Sequence, residues 1–136
     1  MYNEEDNIDH FFNSLIPVLD RLALTYEIVC INDGSKDNTL YKLIEFHKIN
    51  SNIKVISFSR NFGKENALTA GLNYSSGKAV IPIDADLQDP PELIEQLIAK
   101  WHEGYDVVYA VRRQRFGEGH IKRLTANLFY REPLAK

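Results

Sequence analysis

The chain contains a single cysteine, Cys30, among its 136 residues, so it can build neither a disulfide framework nor a thiolate metal site. Cys30 lies in an apolar, strand-like run and reads as a small buried residue. No apolar stretch reaches the length of a membrane span, and no signal peptide is visible at the start. We expect this segment to be soluble and cytoplasmic, in a reducing compartment, and compatible with a membrane anchor outside it. A basic excess is missing too: the net charge is −3, which argues against nucleic acid as a partner. The four histidines are scattered, with no metal-ligand spacing. Neither Gly-x-x-x-x-Gly-Lys nor Gly-x-Gly-x-x-Gly occurs, which excludes P-loop and Rossmann phosphate loops. What is present is ordinary globular composition, 44% hydrophobic and 26% charged, in a length suited to one domain.

Hydrophobic periodicity divides that domain into alternating elements. Residues 3–24 carry Ile8, Phe11, Phe12, Leu15, Ile16, Leu19 and Leu22 at helical spacing, with Asn3 as a cap and Pro17 expected to interrupt the helix. Strands are predicted over 26–31, 53–58, 79–83 and 106–111. The helix after the first strand begins at the Ser35 cap and turns Leu40, Leu43, Ile44 and His47 inward. A small-residue helix around Ala67, Ala70 and Gly71 should pack close to the sheet. Another helix starts at Asp89-Pro90-Pro91-Glu92, a capping-box signature, and carries Leu93, Ile94, Leu97, Ile98 and Trp101. A last helix is expected from Ile121. Four such alternations predict an α/β fold with a mostly parallel sheet flanked by helices.

The chemistry gathers where these strands end. Asp84 and Asp86 close an apolar run with one small residue, Ala85, between them, and Gln88 follows. Alternation along a strand would point both carboxylates the same way. Such a pair repels itself unless a proton or cation intervenes, and its hard oxygens suit Mg²⁺ or Mn²⁺. A bare Asp-x-Asp is equally readable as an acidic loop facing water. Asp33 ends another strand and, alone, reads as a turn residue. Arg60 and Lys64 bracket a glycine at a helix start, which suits an anion, or else they are solvated charges. Arg112, Arg113, Arg115, Lys122 and Arg123 form the one basic cluster. In open α/β sheets ligands bind at the carboxyl ends of strands. The convergence there of carboxylates and cations describes a site for an anionic substrate and a divalent metal.

Four ordered motifs carry a resemblance to a known family. They are Tyr2-Asn3-Glu4-Glu5, Asn32-Asp33-Gly34-Ser35-Lys36-Asp37, Arg60-Asn61-Phe62-Gly63-Lys64 and the run from Asp84 to Glu92. Together they resemble the inverting GT-A glycosyltransferases of family 2, and within them the dolichol-phosphate mannose synthases and undecaprenyl-phosphate glycosyltransferases. The resemblance implies a GT-A fold. It implies that Tyr2, with Asn3 and Glu4 in its motif, and Asp33 hold the nucleotide base and ribose of a UDP- or GDP-sugar. Arg60, Lys64 and Ala85 would lie beside the nucleotide. Asp84, Asp86 and Gln88 would bind Mg²⁺ or Mn²⁺ on the diphosphate, and Arg112 and Lys122 would receive the phosphate of a polyprenyl-phosphate acceptor. The catalytic set is then Asp84, Asp86 and Arg112.

The same resemblance makes the 136 residues a single, truncated GT-A domain, without the family's first strand and its C-terminal part. The missing strand would lie between those ending at Ile31 and Ile83. Its absence leaves unpaired backbone groups there, predicting marginal stability, poor activity and self-association into a homo-oligomer. The full-length protein is expected at the cytoplasmic face of a membrane. Two other classes are weighed beside this one. A non-catalytic nucleotide-binding module fits a truncated chain. A haloacid-dehalogenase-type phosphohydrolase shares the Asp-x-Asp but not Leu87-Gln88, where those enzymes carry Gly-Thr.

Overall fold

The computed structural model describes residues 1–110. Its elements follow in the order α1 (Ile8–Arg21), β1 (Ile28–Asn32), α2 (Thr39–Ile49), β2 (Ile53–Ser57), α3 (Lys64–Tyr74) and α4 (Leu93–His102). The α/β class is the one expected. β1 and β2 pair in parallel, Ile28 opposite Ile53 through Asn32 opposite Ser57, with helices on both faces. Alternation along β1 separates the two faces. Ile28 and Cys30 join Ile8, Phe11, Phe12 and Leu15 of α1, Leu43 of α2, Ile53 of β2 and Ile94 of α4 in one buried cluster. Ile31 points the other way, onto α3, where a β-carbon built on Gly71 would come within 3.7 Å of its side chain. The small face of α3 thus packs against the sheet as expected. Burial among these apolar neighbours pushes the Cys30 thiol up to about 12, so it behaves as a hydrophobe.

Several boundaries depart from the periodicity, each for a local reason. α1 starts at Ile8 rather than residue 3, because the backbone amides of Asn3, Glu4 and Glu5 donate to Ser35 Oγ, Thr39 Oγ1 and Asp37 Oδ2. Asn3 is therefore no helix cap; it sits at φ 53°. Pro17 lies inside α1 without ending it. The carbonyl it leaves unbonded belongs to Asn13, which is on the exposed side where water can serve it. α2 begins at Thr39, four residues after Ser35, and its inner face is Thr39, Leu43 and the half-buried Phe46, whose ring lies 4.3 Å from that of Phe12. Ile44 and His47 are consequently exposed, and His47 Nδ1 sits against the carbonyl of Ile53. α4 is assigned from Leu93. Its lead-in is a tight turn in which Leu93, Ile94 and Glu95 donate to Pro90, Pro91 and Glu92, and Glu92 itself makes no side-chain capping bond. The predicted stripe holds, with Ile94 buried and Leu93, Leu97, Ile98 and Trp101 half-buried.

Two predicted strands are not paired among the described residues. Residues 79–83 join no ladder among the described residues; Ile81 and Ile83 instead pack partly onto the core cluster. A short apolar run reports burial and does not by itself establish pairing. β1 gives one edge to β2. On its other edge the amino group of Met1 donates to Ile31 O and Asp33 N–H donates to Met1 O, both at 2.9 Å, the bonding of a parallel bridge opposite Asn32. Met1 therefore holds the end of that edge. Residues 106–110 likewise join no ladder among the described residues, with Val107 and Tyr109 80% and 63% exposed. The predicted basic cluster, Arg112 and Lys122 included, and the last helix lie outside the described residues. No helix of the described residues is long and apolar enough to cross a membrane.

Candidate functional site

Three loops meet at the carboxyl ends of β1 and β2, and the sequence explains why each holds its shape. After β1, Asn32-Asp33-Gly34-Ser35 turns sharply, with Gly34 at φ 65°. A β-carbon there would stand 2.2 Å from the carbonyl carbon of Arg60, so only glycine allows the two loops to touch. Buried Asn32 ties the strands together, its Nδ2 donating to Ser57 Oγ at 2.9 Å and its Oδ1 accepting from Ser35 N–H. Asp33, only 4% exposed, accepts from Phe62 N–H at 2.7 Å through one oxygen and from Gly63 N–H at 2.9 Å through the other. The anion expected at the Arg60–Lys64 loop is thus first of all the chain's own Asp33 carboxylate.

The loop that follows residues 79–83 brings the remaining carboxylates in. Leu87 N–H donates to Asp84 O, closing a turn with Leu87 at φ 50°. Ala85 is buried in that turn, while Asp84 and Asp86 are exposed. Asp86 is held by its own neighbour: Gln88 donates to it through its backbone N–H at 3.3 Å and its side-chain amide at 2.9 Å. Asp84 reaches across to α3, where Lys64 Nζ lies 2.9 Å from each of its oxygens. That hydrogen bond, then the charges of Asp84 and Asp86, raise the pKa of Lys64 above the usual lysine value.

These residues share one cleft of about 470 Å³, whose wall includes Tyr2, Glu4, Asp33, Lys64, Asp84, Ala85, Asp86 and Gln88. Most of the residues singled out from the sequence are therefore brought together. Among the described ones, two are not in its wall. Asn3 spends its side chain on the β1–α2 loop, accepting from Lys36 N–H. Arg60 lines a neighbouring cavity of about 500 Å³ and stacks 4.5 Å from the Phe62 ring centre. Tyr2 and Asn61 border both cavities. Sequence reasoning missed Asn61, and it missed that Gly34, Phe62 and Gly63 join the loops through their backbones. The glycine in Asn-Asp-Gly-Ser was the available signal; amide donors leave none.

The donor set decides what the cleft can hold. Among the described residues, no three His, Cys, Asp or Glu side chains gather as a self-sufficient metal site. Asp84 and Asp86 alone supply two hard carboxylates on one loop. That fits Mg²⁺ or Mn²⁺ when the rest of the shell comes from phosphate oxygens and water. The cleft is thus suited to a diphosphate carried in with its cation.

The sequence profile of glycosyl transferase family 2 matches residues 1–135. This chain belongs to that family. It is 61% identical to the uncharacterized glycosyltransferase sll0501 of Synechocystis, over 96% of this chain and 41% of that protein. With the uncharacterized glycosyltransferase YkcC of Bacillus subtilis the identity is 51%, over 96% and 41% of the two chains. With the bactoprenol glucosyl transferase of Shigella phage SfV it is 48%, over 96% and 43%. The chain thus spans about two fifths of the length of the curated relatives it matches.

Proposed function

We propose that the chain is the donor-binding part of an inverting glycosyltransferase that moves a sugar from a UDP- or GDP-sugar to a polyprenyl phosphate. One observation carries this reading: Tyr2, Lys64, Asp84, Asp86 and Gln88, drawn from three separate sequence motifs, line a single cleft beside the strand ends. The likeness to a bactoprenol glucosyl transferase supports the acceptor class. Asp84 and Asp86 would hold the cation that accompanies the diphosphate, and Tyr2, which lines both cavities, would border the base. The bound cation supplies Lewis-acid stabilisation of the departing diphosphate. Lys64 adds a positive charge on the same side. Arg112 and Lys122 place the acceptor phosphate, whose second pKa of about 6 makes it anionic at neutral pH without a general base. Its oxygen forms the new bond to the anomeric carbon as the diphosphate oxygen leaves from the opposite face. In the whole protein this happens at the cytoplasmic face of a membrane.

The test is calorimetry with Mn²⁺ and UDP or GDP, followed by nucleotide release from UDP- and GDP-sugars with undecaprenyl phosphate. We expect metal-dependent nucleotide binding that Asp86→Ala abolishes, and turnover that requires the lipid phosphate. Nucleotide affinity unchanged in Asp86→Ala would overturn the metal assignment. Binding without turnover in the longer protein would make it a nucleotide-binding module, and phosphate release from a simple phosphomonoester would make it a phosphohydrolase.

A further inference from the structure

Lys64 is the first residue of α3, a position where a cation faces the positive end of the helix and is disfavoured by up to about 1 kcal/mol. Helix stability does not explain it. What it touches does: its ammonium lies 2.9 Å from both oxygens of Asp84, twenty residues away on the opposite wall of the cleft. It stands where a cation shared with Asp84 would be coordinated. Two positive charges cannot occupy that place together, since unit charges about 4 Å apart repel strongly in a partly shielded site.

We propose that Lys64 is a built-in counter-ion of the acidic loop, displaced from Asp84 by the incoming divalent cation and transferred to the donor's diphosphate. This rests on the reading of the cleft as a metal-dependent donor site, and adds to it an exchange between two cations. The pair is cheap to break, because both side chains are largely exposed, 76% for Lys64 and 58% for Asp84, and exposed pairs contribute about 0–1 kcal/mol. The loop keeps its form when Lys64 leaves, since Asp86 is held independently by Gln88 and Asp84 O by Leu87 N–H. A lysine is suited to the transfer, having a compact charge on a flexible stem that can follow a phosphate. The exchange keeps the acidic loop neutralised without the donor and returns a positive charge to the diphosphate when it arrives.

Mn²⁺ binding, followed by electron paramagnetic resonance without nucleotide, and UDP and GDP binding at saturating Mn²⁺, followed by calorimetry, test this in the wild-type chain, Lys64→Met and Lys64→Arg. Lys64 is exposed and Lys64→Met keeps the stem, so folding is checked simply by circular dichroism. We expect Lys64→Met to bind Mn²⁺ alone up to about fivefold more tightly, the equivalent of the exposed pair. It should also bind the nucleoside diphosphate at least about tenfold more weakly, from the loss of a charged hydrogen bond. Lys64→Arg should restore the wild-type Mn²⁺ affinity. Equal Mn²⁺ affinity in wild type and Lys64→Met, or equal nucleotide affinity, overturns the exchange while leaving the donor site standing. Absence of Mn²⁺ binding in every variant, with and without nucleotide, overturns both.

Discussion

Asp33 shows how a residue beside the candidate site can shape that site through the chain itself. Its two oxygens are engaged by the amides of Phe62 and Gly63, the residues that lead directly into Lys64. A buried carboxylate accepting two N–H groups is satisfied as an anion, and an asparagine cannot replace it: one acceptor would become an NH₂ aimed at an N–H. We therefore expect Asp33→Asn to lower unfolding free energy by about 1–3 kcal/mol, read from the midpoint of urea denaturation. Nucleotide affinity should fall with it, because the loop bearing Lys64 loosens. If Asp33 acted only as a ligand for the nucleotide, the affinity would fall and the urea midpoint would stay.

At the scale of elements, the chain is joined by side chains that reach across it. Glu27, just before β1, takes Lys54 of β2 as an ion-pair partner and accepts from the backbone and hydroxyl of Ser76, beyond α3. The Lys54 hydrogen bond, then those of Ser76, bring its carboxyl from the ordinary 4.5 down to about 2. Because the folded-state value is the lower one, this contribution is complete above about 4.5. It is lost as the pH falls from there toward about 2. Urea unfolding of wild type and Glu27→Gln across that range should show a stability gap at neutral pH that closes on acidification. A gap independent of pH would mean that the glutamine substitution acts through packing and not through charge. The N-terminal segment is joined in the same manner, with Asn3 and Glu5 bonded to the β1–α2 loop and Glu4 to Thr39 at the start of α2. This binding presents Tyr2 to both cavities.

At the scale of the whole fold, β1 is paired along one edge among the described residues, and its other edge is bonded only at the end, by Met1. Ile28 N–H and Asn32 O bond to Asn52 and Phe58 around β2, so Ile28, Cys30 and Asn32 face that strand. Val29 and Ile31 face the other edge, where Met1 bonds Ile31 O and Asp33 N–H and no described residue bonds the Val29 or Ile31 N–H. Amide exchange should therefore be roughly five- to tenfold faster at Val29 and Ile31 than at Cys30, the equivalent of about one net hydrogen bond. Equal protection at all three would show that this edge is covered in solution. Repeating the measurement at lower protein concentration then identifies a second copy as the cover, because an open edge is a template for pairing.

The alternation of apolar runs and helical stripes was enough, without coordinates, to determine the α/β class, the packing of Ala67, Ala70 and Gly71 against the sheet, and the burial of Cys30. Those properties follow from side-chain periodicity, which is written locally. The turn chemistry of Asn32–Ser35 likewise placed Asp33 at the end of a strand, whereas Asp84–Gln88 follow a run that joins no ladder among the described residues. Only the tertiary structure decided which apolar runs became strands, because an apolar run reports burial and not pairing, and residues 79–83 pack on the core without joining a ladder among the described residues. It alone decided that α1 starts at Ile8, since the preceding amides bond to a loop more than thirty residues away. It alone paired Lys64 with Asp84 and Asp33 with Phe62 and Gly63. Each of those contacts joins side chain or backbone groups twenty or more residues apart, and no local pattern records a meeting that the fold arranges.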